Sequence, residues 1–128
     1  LKEIKGIYMQ IAISLQENKG LESKVSTIFG RCPFYMFINP QNKEFEIKEN
    51  AAKTASGGAG IQAAQMVVDQ GAEVVISGNL GPKAHSVLAS ANITVYQFPS
   101  GSAQEALDAY LADSMKSLDG PSTAAHSG

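Results

Sequence analysis

The sequence predicts a single three-layer α/β/α domain with a mainly parallel sheet, and three observations carry that expectation. In the second half of the chain, short β-branched runs alternate with apolar stripes at helical spacing, as in right-handed βαβ units. Before them, two strand-like runs flank Asn39-Pro40-Gln41-Asn42, a turn whose chemistry closes a hairpin. The length of 128 residues, 44% of them apolar, supports one compact core and is too short for two.

Each element follows from its own residues. Residues 7–15 are almost wholly apolar, which suits a central strand buried on both faces. Residues 16–31 are polar and long for a connection, so they form a candidate functional loop. Residues 34–38 and 45–49 are the hairpin strands. The second alternates Phe45, Ile47 and Glu49 with Glu46 and Lys48, as a half-exposed edge strand does. Residues 60–70 place Ile61, Ala64, Val67 and Val68 on a helical stripe, and residues 74–77 form a buried strand. Ala84, Val87, Leu88 and Ala91 mark a second helix, and residues 93–98 a last strand. Ser102 and Glu105 make a capping box, opening a helix expected to bury Leu107, Tyr110, Leu111 and Met115. The order is β-β-β-α-β-α-β-α. Residues 1–8, ahead of Met9, read as a leader or N-terminal extension, and residues 9–116 as the domain. Residues 117–128, made largely of Ser, Ala, Gly, Pro and Thr, read as a disordered tail.

Composition narrows the function. Ten Lys and Arg against twelve Asp and Glu give a formal charge of −2, with no basic excess to recruit nucleic acid or anionic lipid. No run reaches the roughly 18 apolar residues of a membrane helix. One cysteine excludes an internal disulfide framework and a four-thiolate metal site within one chain. The expectation is a protein of a reduced, cytoplasmic compartment that engages neither nucleic acid nor membrane.

Three loops fall at the carboxyl ends of the predicted parallel strands, where open α/β sheets bind ligands. Residues 53–60 end in Ser56-Gly57-Gly58-Ala59-Gly60 and run into a helix, whose free N–H groups and dipole favour an anion. Gly78-Asn79-Leu80-Gly81-Pro82 leads into the next helix, with Pro82 suited to its first turn. The third is the loop of residues 16–31. Gly58-Ala59-Gly60-Ile61-Gln62-Ala63 fits a dinucleotide fingerprint in letters, yet it does not sit on the first strand of a βαβ unit and lacks the following acidic residue. No Gly-Lys-Ser/Thr makes a phosphate loop of the Walker type.

Across these loops Lys19, Lys24, Arg31, Lys53 and Lys83 stand against Glu17 and Glu22, a local +3 that leaves −5 elsewhere. Such a concentration favours a small polyanion. Arg31 is the single arginine, and its planar donor fork suits oxyanion or sulfide contact. Cys32 admits two roles: a soft-metal ligand supplemented by Met36 or His85 or shared between two chains, or a small hydrophobe at a strand start. Glu44, Glu46 and Glu49 share one strand, and Glu105, Asp108 and Asp113 one helix face. Ser14, Ser56 and Ser77 lack evident His or Asp partners. This is the pattern of a binding protein rather than an enzyme. An oxyanion or phosphometabolite binder and a protein-interaction module using residues 45–49 remain open from the residues alone.

Met9-Gln10-Ile11-Ala12-Ile13, Lys24-Val25-Ser26, Phe29-Gly30-Arg31-Cys32-Pro33-Phe34-Tyr35, Gly57-Gly58-Ala59-Gly60-Ile61-Gln62-Ala63-Ala64-Gln65 and Gly78-Asn79-Leu80-Gly81-Pro82 together resemble the dinitrogenase iron–molybdenum cofactor biosynthesis family. That family includes nitrogenase accessory carriers and the orange-protein type, which holds a molybdenum–copper sulfide cluster. The resemblance, over residues 9–116, implies a ribonuclease H-like fold with five strands in the order 3-2-1-4-5, the second antiparallel. It implies a non-catalytic role, binding or carrying an anionic metal–sulfur cluster received from or delivered to another protein. Arg31, Gly57, Gly58, Gly60, Gly78, Asn79 and Gly81 would line the site, with Lys24, Ser56 and Cys32 beside them. Many members carry histidine where this chain has Ile28, and some where it has Thr54-Ala55-Ser56. The implied mode here is therefore capture by backbone N–H groups, Arg31 and lysines.

Overall fold

The computed structural model describes residues 9–122, so the leader expected at residues 1–8 and the last six residues, with His126, lie outside the described part. The strands are β1 (Ile11–Leu15), β2 (Phe34–Ile38), β3 (Phe45–Glu49), β4 (Val74–Ser77) and β5 (Thr94–Gln97). The helices are α1 (Ala59–Asp69), α2 (Pro82–Ser90) and α3 (Ala103–Leu111), with a single 3-10 turn at Gly20–Glu22. The sheet order is β3-β2-β1-β4-β5. β2 runs antiparallel to both β1 and β3, and β4 is parallel to β1 and β5. The expected α/β architecture and strand order are both present.

The five buried residues of β1 explain its central place. Ala12 faces α1 and α2, where Ala63, Ala64, Val67, Ala84 and Leu88 pack with Tyr35, Phe37, Val75 and Val95. Ile11, Ile13 and Leu15 face α3, where Ala103, Ala106 and Leu107 pack with Met36, Ile38, Val74 and Ile76. Leu88 and Leu107 are both fully buried, which contributes about 2 kcal/mol each. The alanine-rich inner face of α1 lies close to the sheet, while Ile61 stays 40% exposed, a correction to the expected stripe. On α3, likewise, Leu111 is exposed, and Met115 packs on the core from beyond the helix end.

A single helix cannot cover five strands, and the remainder of the α3 face is covered by the loop between β1 and β2. Val25 is part of that core and Leu21 packs against it, while a Cβ on Gly20 would stand 3.5 Å from Phe45 Cζ. The loop is tied to the sheet edge through Ser26 N–H donating to Ser14 O (2.8 Å) and to the start of α3 through Val25 N–H donating to Gly101 O (2.9 Å).

The chain departs from expected disorder over residues 117–122. Ser117 bridges Tyr96 in antiparallel fashion, Leu118 N–H donates to Val95 O at 2.7 Å, and Ser122 N–H donates to Leu80 O at 3.0 Å. One leucine, Leu118, packs against the core and draws a small-residue segment along the free edge of β5.

Candidate functional site

β1, β3, β4 and β5 point the same way, so the segments following them meet at one edge of the sheet. Residues 26–31 run between the two glycine loops and are bonded to both. On one side Gly78 N–H donates to Ser26 O (3.0 Å), Asn79 N–H to Thr27 O (2.8 Å) and Phe29 N–H to Asn79 O (2.9 Å). On the other, Arg31 Nη1 donates to Lys53 O (3.1 Å) and Ala55 O (2.9 Å). Beneath them the buried Asn50 donates from Nδ2 to Gly30 O (2.9 Å) and Cys32 O (2.8 Å), while its Oδ1 accepts from Ala52 N–H. Ser14 and Ser77, both fully buried, share a hydroxyl–hydroxyl bond of 2.7 Å between β1 and β4.

The residues expected to line the site separate by burial. Arg31, Lys24, Ser56, Gly57, Gly58 and Asn79 are exposed, whereas Cys32, Gly60, Gly78 and Gly81 are buried. Two of those buried glycines serve contacts of the protein with itself. A Cβ on Gly78 would lie 2.4 Å from Thr27 O, and one on Gly30 would lie 2.9 Å from Gly60 Cα. The expected close approach of backbone is present, but the partner is the loop of residues 16–33. Gly57 and Gly58, by contrast, have open space where a side chain would be. Gly58, at φ 69°, is the N-cap of α1 and supplies no side-chain cap, nor does Gly81 for α2. The helix that starts at Ala103 has its capping box, Ser102 with Glu105. Free N–H groups and the positive ends of two helix dipoles therefore face this edge without internal neutralisation.

Arg31 is anchored but not used up. Two carbonyls hold Nη1, and the Nε and Nη2 donors have no partner among the described residues. Asn79 Oδ1 accepts from Gln97 Nε2 at 2.7 Å, which orients the amide. Ile28, 46% exposed, lies in register with Asn79 and adds apolar surface to the rim. Lys24 stands elsewhere, bridged to Ser102 at the start of α3, its backbone N–H donating to Glu17.

The metal-ligand role weighed for Cys32 is corrected. The residue is 1% exposed in the core with Phe29 and Tyr35, and Sγ lies 3.3 Å from the carbonyl oxygens of Phe29 and Phe34. Burial pushes its thiol up to about 11, which disfavours the thiolate a metal requires. Met36 cannot assist, because it belongs to the core on the opposite sheet face. Among the described residues no group of three or more His, Cys, Asp and Glu could hold a metal ion. The Asn50 clamp and the exposure of Ile28 went unread in the sequence. An asparagine directly after a strand, poised for an Asx turn, was the available signal for the first.

The profile of the dinitrogenase iron-molybdenum cofactor family matches residues 9–113. The chain belongs to that family. Its relatives include an uncharacterized protein of Methanocaldococcus jannaschii, 31% identical over 121 residues that span 92% of this chain and 98% of the relative. Among solved structures, the apo form of the orange protein from Desulfovibrio gigas is 32% identical with a TM-score of 0.86, over 90% of this chain and 97% of that one. A Thermotoga protein of the DUF35 family is 31% identical with a TM-score of 0.75, over 86% and 93% of the two chains. The family resemblance read from the glycine turns and Phe29-Gly30-Arg31 is thus borne out, and membership points to a cofactor-related role in binding or carriage. No helix among the described residues is long and apolar enough to cross a membrane.

Proposed function

We propose that this chain binds and carries an anionic metal–sulfur cluster containing molybdenum, either a molybdenum–copper sulfide or a precursor of the iron–molybdenum cofactor. The role is non-catalytic and cytoplasmic, and a second protein donates or accepts the cluster. The observation that carries the reading is the anchored Arg31, with its free Nε and Nη2 donors on a loop tied to the Lys53–Ala55 carbonyls that lead into the open Gly57-Gly58 turn. Backbone N–H groups at the start of α1 and the exposed Lys53 and Lys83 add positive potential without metal ligation. The exposed Ile28 offers a weakly hydrated contact to a sulfide face.

Metal-free protein titrated with tetrathiomolybdate, with and without copper, then desalted and examined by absorption and metal analysis, tests this. Stoichiometric molybdenum with a charge-transfer band is expected, and Arg31→Ala is expected to lower its retention at least tenfold. Retention unchanged in Arg31→Ala removes that residue from the site. Complete loss of metal from the parent chain, with saturable binding of phosphate compounds instead, replaces the cluster by an oxyanion ligand.

A further inference from the structure

The two edges of the sheet are treated differently. Along β5 the segment at Ser117 and Leu118 adds backbone hydrogen bonds, so that edge is partly covered. Among the described residues β3 has β2 on one side and no strand on the other. Asn39 N–H donates to Glu44 O and Asn50 N–H donates to Pro33 O at the two ends of the β2–β3 ladder. Alternation between those bonded pairs turns the N–H and C=O groups of Glu46 and Lys48 towards β2. It turns those of Phe45, Ile47 and Glu49 away from the sheet. An edge of this kind is a template for another strand.

We infer that β3 pairs antiparallel with β3 of a second copy of this chain, about a two-fold axis through Ile47, to make a continuous ten-stranded sheet. The register follows from charge. With Ile47 opposite Ile47 of the partner copy, Glu46 faces Lys48 and Lys48 faces Glu46 in both directions. Sliding by one step in either direction that keeps the faces matched sets Glu46 against Glu46, or Lys48 against Lys48. The charges already form an ion pair of 3.4 Å within one strand, and pairing would close them into a four-membered ring of alternating sign. The outward groups of residues 45, 47 and 49 would form the hydrogen-bonded pairs. Glu46 and Lys48 would occupy the intervening positions, where strands lie closest and side chains meet best. On the other face Phe45, 42% exposed, would reach the diagonal Ile47 of the partner copy. The inference rests on β3 alone and is independent of what the glycine-lined edge binds.

Sedimentation velocity across a concentration series tests it, with far-UV circular dichroism confirming that each variant is folded. The parent chain is expected to shift reversibly from monomer to dimer. Glu46→Lys and Lys48→Glu each convert both cross-copy pairs to like charges, and each is expected to raise the dissociation constant about tenfold or more. Mixing the two single variants restores complementary pairs and is expected to give a heterodimer, and the double variant is expected to dimerise as the parent does. A parent chain that stays monomeric up to about 1 mM, the weak end of specific association, overturns the inference. So does a dimer indifferent to the single substitutions, or a mixture that fails to associate.

Discussion

Replacing Gly78 with alanine tests how the glycine-lined edge is assembled. The new Cβ would stand 2.4 Å from Thr27 O, 2.5 Å from Thr27 C and 2.6 Å from Thr27 Cα, all backbone atoms that no rotamer change can move. Reaching ordinary contact requires residues 26–28 to withdraw by about 1 Å. That movement strains three backbone hydrogen bonds, from Gly78 N–H, Asn79 N–H and Phe29 N–H, of 3.0, 2.8 and 2.9 Å. At about 1 kcal/mol net for each, the cost is about 3 kcal/mol. In urea this lowers the unfolding midpoint by about 1–3 M. Gly57→Ala is the matched comparison, because nothing lies within 4 Å of its added Cβ and its φ is not left-handed. Its effect is expected to stay within about 0.5 kcal/mol. Equilibrium urea unfolding of the two variants beside the parent chain decides the matter. A cost below about 1 kcal/mol at Gly78, or equal costs at both glycines, refutes the reasoning.

Two other expectations concern buried groups. The Cys32 thiol is raised from 9.0 to about 11 in the folded chain, so the unfolded chain ionises first. The stability present below pH 9 is then lost progressively as pH rises to about 11, by about 3 kcal/mol in all. Cys32→Ala is expected to flatten that part of a pH–stability curve from chemical denaturation, leaving the slope from Tyr35 and Tyr110, which burial also raises. Ser77→Ala leaves the buried Ser14 hydroxyl without its 2.7 Å partner and is expected to cost about 1–3 kcal/mol. Ser14→Ala together with Ser77→Ala is expected to cost less than the two single changes summed, as a double-mutant cycle reads directly.

Local patterning made the sheet legible. The runs at 34–38, 45–49 and 74–77 coincide with β2, β3 and β4, since strand period, turn residues and β-branching all agree there. The capping box placed the start of α3 in the same way. Patterning fails where a residue's role is set by something distant in sequence. The polar loop read at residues 16–31 gave no sign that Leu21 and Val25 would cover part of one sheet face. Gly60 and Gly78 read as ligand-facing because a glycine's vacant side is visible in sequence, but what fills it is not. Arg31 was identifiable as the one planar cation. Its two carbonyl partners, 22 and 24 residues away, were not. At Ser117 the absence of apolar periodicity suggested disorder, although one leucine was enough to seat the segment.

The loop of residues 16–33 belongs to two structures at once. Leu21 and Val25 pack with the core beneath α3, while residues 26–31 bridge the glycine loops. A fluctuation that freed this bridge and loosened Leu21 and Val25 would expose apolar surface as well as break hydrogen bonds, so opening the edge costs more than its hydrogen bonds alone. The shape of this edge is thus coupled to the packing of the sheet face beneath α3. A ligand meets it without first ordering a loop and loses correspondingly less entropy on association. On the proposed reading, a cluster would be exchanged by competition for the exposed Arg31 and glycine-turn donors.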